Sequence, residues 1–140
     1  MMHLRKFDRH QKTNESLDNF KKDTQETLLS LTDEGFKTEF NVIAQPSGRL
    51  NYYVRIYKPV GSEAFSFKSP EFECSAISAD FATYLNYMTE ELGYEAENIY
   101  TLSIDPKTKG FLRTIHSQDE ALGGKDFGKI NCISVEFKNK

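Results

Sequence analysis

The chain has 140 residues, with 18 Lys and Arg against 21 Asp and Glu, a formal net charge of -3, and 13% aromatics without Trp. That length suggests one domain able to bury a core without metal or disulfide help. No run approaches the roughly eighteen apolar residues of a membrane span, and residues 1–7 lack the apolar core of a secretory signal, so a cytoplasmic protein with no membrane contact is expected.

Residues 1–13 read as a basic arm: Arg5, Lys6, Arg9 and Lys12 stand against one acid, Asp8, with no clean period. The remainder, 14–140, reads as a single α+β domain holding fourteen basic and twenty acidic residues, near -6. Such asymmetry marks either a solvated terminus or a tail that meets an anion or a partner.

A first helix is predicted from about Asn14 or Ser16 to Glu34, with Leu17, Phe20, Thr24, Leu28 and Leu31 as its inner stripe. Gly35 supplies the stop and Phe36 packs back on Leu31. Residues 37–44 alternate as a strand, with Thr38, Phe40, Val42 and Ala44 on the core face and Lys37, Glu39, Asn41 and Ile43 on the other. Pro46-Ser47-Gly48 turns the chain into a partner strand with Leu50, Tyr52, Val54 and Ile56 inward and Asn51, Tyr53, Arg55 and Tyr57 outward. Residues 64–75 suggest a strand, or two short ones, around Ser69-Pro70.

The second helix is the clearest element. Phe81, Leu85, Met88 and Leu92 recur at spacings of four, three and four, Ser78 is the expected N-cap, and Gly93 the stop. A second hairpin, 98–104 with 111–116, follows across a connection rich in turn formers. Residues 117–128 read as a polar loop and 129–137 as the last strand. Helix, glycine stop and hairpin thus occur twice, which is compatible with a duplicated unit or with two independent uses of the same stop. Together these elements predict an antiparallel sheet of about four to six strands with two helices on one face.

Features that could carry chemistry are few. Cys74 and Cys132, each in a strand-like run, have no CxxC partner and no nearby His; two buried reduced thiols are expected, with a disulfide as the lesser alternative. Gly123 to Lys129 satisfies G-x-x-x-x-G-K, but Ile130 stands where a phosphate loop needs Ser or Thr, and a strand follows in place of a helix. His3 and His10 belong to the arm, and no acid, Ser or Cys is placed to work with His116. No catalytic residue, metal site or cofactor is indicated, and an enzyme is not expected. Both helices end in acids, Asp33-Glu34 and Glu90-Glu91, against the helix dipole, which suits either solvated ends or a basic partner.

The outward row Tyr53, Arg55 and Tyr57, beside Ile43, is the main candidate contact surface. Aromatics interleaved with Arg on an open sheet face serve protein interfaces, stack single-stranded nucleic acid, or simply pair across strands.

The run Leu28-Leu29-Ser30-Leu31-Thr32-Asp33-Glu34-Gly35-Phe36, followed by a strand, resembles the opening of many small uncharacterised proteins of tailed bacteriophages. The resemblance covers about a tenth of the chain. It implies a small viral protein acting by contact, as a virion component or a binder of a host protein, in the virion or host cytoplasm. The expectation from the whole sequence is therefore a non-enzymatic protein–protein interaction or assembly module, self-association included. The alternative is a nucleic-acid binder in which the arm neutralises phosphates while the sheet tyrosines stack bases.

Overall fold

A computed structural model of the chain describes residues 17–138. The basic arm with Arg5, Lys6, Arg9 and Lys12, and the expected helix start at Asn14 or Ser16, lie outside the described residues.

The first helical stretch, α1, covers residues 17–27, and α2 continues it over Leu29–Asp33 after a break at Leu28. Beside the break Thr27 turns its hydroxyl back onto the Asp23 carbonyl at 2.7 Å, a kind of bond that often bends helices. The expected stripe is buried at Phe20, Thr24, Leu28 and Leu31 and half-buried at Leu17. Gly35, at φ +93°, closes α2: the Phe36 N–H donates to the Leu31 carbonyl at 2.9 Å and the Gly35 N–H to Thr32 at 3.1 Å, the paired bonds of a Schellman stop.

Strands β1 (Lys37–Ala44) and β2 (Leu50–Tyr57) form the first hairpin. The short β3 (Phe72–Glu73) leads into a 3-10 turn, Cys74–Ala76, so Cys74 sits in that turn and not in a strand. Helix α3 (Ser78–Asn86) follows and widens into a π turn over Tyr87–Glu91. Its N-cap is Ile77, without a side-chain cap; Ser78 is the first helical residue and not the cap, so the helix starts one position earlier than the sequence suggested. Gly93, at φ +74°, ends the element and the Tyr94 N–H reaches back to the Met88 carbonyl at 2.9 Å.

The second hairpin is β4 (Glu95–Ile104) with β5 (Phe111–His116). The expected polar loop after it contains a further helix, α4 (Gln118–Leu122). This helix is set by a capping box in which the Ser117 hydroxyl accepts from the Glu120 N–H at 3.1 Å and the Glu120 carboxylate accepts from the Ser117 N–H at 3.2 Å. Gly123 to Lys129 then enters a strand, with no helix to face a phosphate. The last expected strand is split: β6 (Lys129–Ile130) pairs with β3, and β7 (Cys132–Lys138) joins the main sheet. Asn131 makes the split. Its side chain donates to the Ser69 carbonyl at 3.0 Å and accepts from the Ile104 N–H at 3.0 Å.

The main sheet is antiparallel throughout, in the order β1-β2-β7-β4-β5. The helices lie on one face, making an α+β fold of the expected class. The two hairpins flank β7, and their first strands, β1 and β4, run in opposite directions, so a shift along the sheet does not superpose one on the other.

One buried cluster runs from Phe20 to Phe137. Phe20 stacks on Tyr52 with ring centres 4.8 Å apart and meets Tyr94 and Phe137 edge-on at 5.6 and 5.8 Å. Each fully buried Phe or Leu here contributes about 1.5–3 kcal/mol through apolar burial. Thr24, the polar member of the stripe, is also fully buried; its hydroxyl meets Tyr84 Oη of α3 at 2.9 Å and ties the two helices together.

Candidate functional site: the uncovered sheet face

The strand registers place the outward residues in rows across the sheet. Glu39 of β1 lies beside Arg55, then Ser134, Tyr100 and Ile115 in the next three strands. A second row holds Asn41, Tyr53, Glu136 and Asn98. Between them is an open groove of about 510 Å³, walled by Ile43, Tyr53 and Tyr100 and floored by Glu39, Arg55 and Ser134.

Its polar groups are held in place. The Glu39 carboxylate accepts from Tyr57 Oη at 2.7 Å and from the Phe65 N–H at 2.9 Å, and its other oxygen lies 3.7 Å from the Arg55 guanidinium. Arg55 in turn lies over the Phe65 ring, 5.1 Å from its centre. Glu136 is nine-tenths buried and accepts three hydrogen bonds, from Asn51 at 2.8 Å, Tyr53 at 2.9 Å and Asn98 at 3.0 Å. Burial first, and then the bond to Glu136, raise the Tyr53 phenol above its ordinary range, so it stays a neutral donor. On the far side Arg113 stacks on Tyr100, 4.1 Å from the ring centre.

Of the residues expected to form the contact row, Ile43, Tyr53 and Arg55 do line this groove. Tyr57 does not: it is fully buried, because the loop of residues 58–71 folds over that end of the face and packs Phe65 on it at 5.4 Å. Phe65 and Phe67 then stack on Phe111 at 5.1 and 4.4 Å, which carries the loop across to the second hairpin. Burial, then the Glu39 bond, push the Tyr57 phenol upward. Sequence reasoning missed Tyr100, Ser134, Glu136 and Arg113. The alternation in 98–104 places Tyr100 on a face, but the order of strands, which brings it opposite Arg55 across β7, is not written in any one strand.

Elsewhere, His116 stacks on Phe127 at 3.7 Å and its Nε2 lies 2.9 Å from Thr101 Oγ1. Burial is the main cause that lowers its pKa. Both cysteines are buried free thiols, and burial pushes Cys132 up to about 12, far from a thiolate nucleophile. Among the described residues no group of three or more His, Cys, Asp or Glu is arranged to hold a metal, and no helix is long and apolar enough to cross a membrane.

The fold and this face define a class, an α+β protein with helices on one side of an antiparallel sheet and a grooved, polar-aromatic surface on the other. Against known proteins, no family model, no curated sequence and no solved structure matches the chain.

Proposed function

We propose that the chain is a protein-binding module whose partner seats an exposed loop or extended segment in the groove of the uncovered sheet face. The observation that carries this reading is the composition of the groove: two tyrosines and Ile43 around an Arg whose charge is already matched by Glu39. Tyr and Arg in a preformed concave site are the residue types enriched at interface hot spots. Within the groove Arg55 is matched by Glu39, and these are its only charged lining residues, so the groove offers no excess positive charge to a phosphate backbone. This agrees with the contact-acting class that the resemblance to small phage proteins implies. The basic arm would add a peripheral electrostatic contact.

The test is capture from nuclease-treated lysate by the full chain, beside Tyr100→Ala and Ile43→Glu. A stoichiometric protein is expected to survive nuclease, to bind about tenfold or more weakly to Tyr100→Ala, and to be lost with Ile43→Glu. Recovery that vanishes with nuclease, and binding that falls with a log-log salt slope near about -3 to -4, would instead establish nucleic acid held by the four arm cations.

A further inference from the structure

The outer edge of β5 is the second unoccupied surface. The Leu102 carbonyl accepts from the Asn131 N–H at 2.8 Å and the Ile104 N–H donates to Asn131 Oδ1 at 3.0 Å, so these two residues aim their backbone groups away from β5. Backbone groups alternate sides along an antiparallel strand. The rungs that bond β4 to β5 are therefore Ile99–His116, Thr101–Thr114 and Ser103–Leu112. It follows that Phe111, Arg113 and Ile115 point their N–H and C=O groups off the sheet. Among the described residues no strand pairs with that side.

Between its covered ends, Phe111 and His116, the strand is exposed on its faces as well. Leu112 is 55% exposed on the helix side and Ile115 66% exposed on the groove side. Natural edge strands are commonly guarded by Pro, Lys or an inward charge; Phe111–His116 has none of these, and its one charge, Arg113, lies over Tyr100.

We infer that β5 pairs antiparallel with β5 of a second copy of this chain, about a two-fold axis perpendicular to the sheet at Thr114. The axis preserves which face each residue is on, so only residues of the same face can lie opposite one another. Two registers satisfy the outward backbone groups near the strand centre. One sets Arg113 against its own copy, a like-charge contact that destabilises cross-strand pairs. The other sets Thr114 against Thr114, Arg113 against Ile115, and Leu112 against His116, with no like charges opposed. The strand is thus complementary to itself in one register. A second copy also closes the contact as an isologous dimer, whereas β5 on the β1 edge of a neighbour would propagate without closing. In the dimer the two sheets form one ten-stranded platform, with both grooves opening on the same side.

Sedimentation equilibrium of the full chain, with oxidative crosslinking of Thr114→Cys, tests this. The wild type is expected to show a monomer–dimer equilibrium. Thr114→Cys is expected to form a disulfide dimer under mild oxidant, because directly opposed residues of a non-hydrogen-bonded pair approach closely and the native thiols are buried. Ile115→Lys, which opposes Arg113 twice, should weaken the dimer about tenfold or more; Ile115→Glu, which pairs with Arg113 twice, should hold or tighten it. Both substitutions sit on an exposed side chain, and circular dichroism should show the fold intact. A chain that stays monomeric at its solubility limit overturns the inference. So does a dimer that Lys and Glu weaken alike, or one in which Thr114→Cys fails to crosslink. Capture of a partner in the groove does not bear on these readouts, so either proposal can fail alone.

Discussion

The bond between Thr24 and Tyr84 offers the sharpest test of how α1 is seated. The two hydroxyls are 2.9 Å apart, both residues are fully buried, and they are separated by 60 positions in the chain. Tyr84→Phe keeps the ring, and hence its edge contact with Phe137 at 5.9 Å, while leaving the Thr24 hydroxyl in a dry site. An unsatisfied buried hydroxyl costs about 1–3 kcal/mol. Thr24→Val strands the Tyr84 phenol in the same way, at a similar cost of about 1–3 kcal/mol. The double substitution removes both hydroxyls and preserves shape, so its loss should stay near about 1 kcal/mol, well short of the sum. Equilibrium urea unfolding of the four proteins measures this, with an unchanged denaturant slope as the control for a common unfolded state. A single-site loss of about 2 kcal/mol corresponds to a fall in Tm of about 6–8 °C for a domain of this size. Single variants as stable as wild type, or a double variant that loses the full sum, would refute the seating of α1 on α3 through this bond.

Two further predictions concern the helix stop and the phenols. Gly35→Ala should lose about 1–2 kcal/mol, measured by the same unfolding curve, because φ is +93° and nothing lies within 4 Å of an added Cβ, so the cost is conformational alone; an unchanged midpoint would contradict the left-handed stop. Burial, followed by the fields of Tyr52 and Asp23, pushes the Tyr94 phenol up to about 12, above the ordinary tyrosine value of about 10. A raised folded pKa means that its contribution to stability is fully present below pH 10 and lost as pH rises from 10 toward about 12. Stability followed against pH should fall in that window, and Tyr94→Phe should shallow the fall; a flat profile would sink the assignment.

The elements legible in the sequence are those whose signal is local. Phe20, Thr24, Leu28 and Leu31 recur on one helical face, and Gly35 and Gly93 stop their helices where a left-handed residue is needed. The alternation in β1 and β2 also survives folding, with Phe40 and Val42 packed against the core and Val54 and Ile56 within it. Helix α4 was legible too, through Ser117 and Glu120 at capping-box spacing, but its polar surroundings read as loop. Alternation puts Tyr57 on the outward face, where it lies, but it is buried by something alternation cannot see, a loop arriving from residues 58–71 with Phe65. The groove was half legible for the same reason. Tyr53, Arg55 and Ile43 belong to one hairpin, whereas Tyr100 and Ser134 join them only through the strand order.

That order has a consequence for how the protein is made. Among the described residues β7 follows both hairpins in sequence yet is the middle strand of the main sheet, and it joins hairpins that have no strand pairing with each other. Its bond from Ser134 to the Val54 carbonyl spans 80 positions. On the ribosome both hairpins emerge first, with the inner edges of β2 and β4 bare, and wait for residues 132–138 to bridge them. Assembly of the sheet is thus a late, single event, and a chain interrupted before Cys132 holds two half-sheets with unprotected edges, the species most open to wrong pairing and to proteolysis.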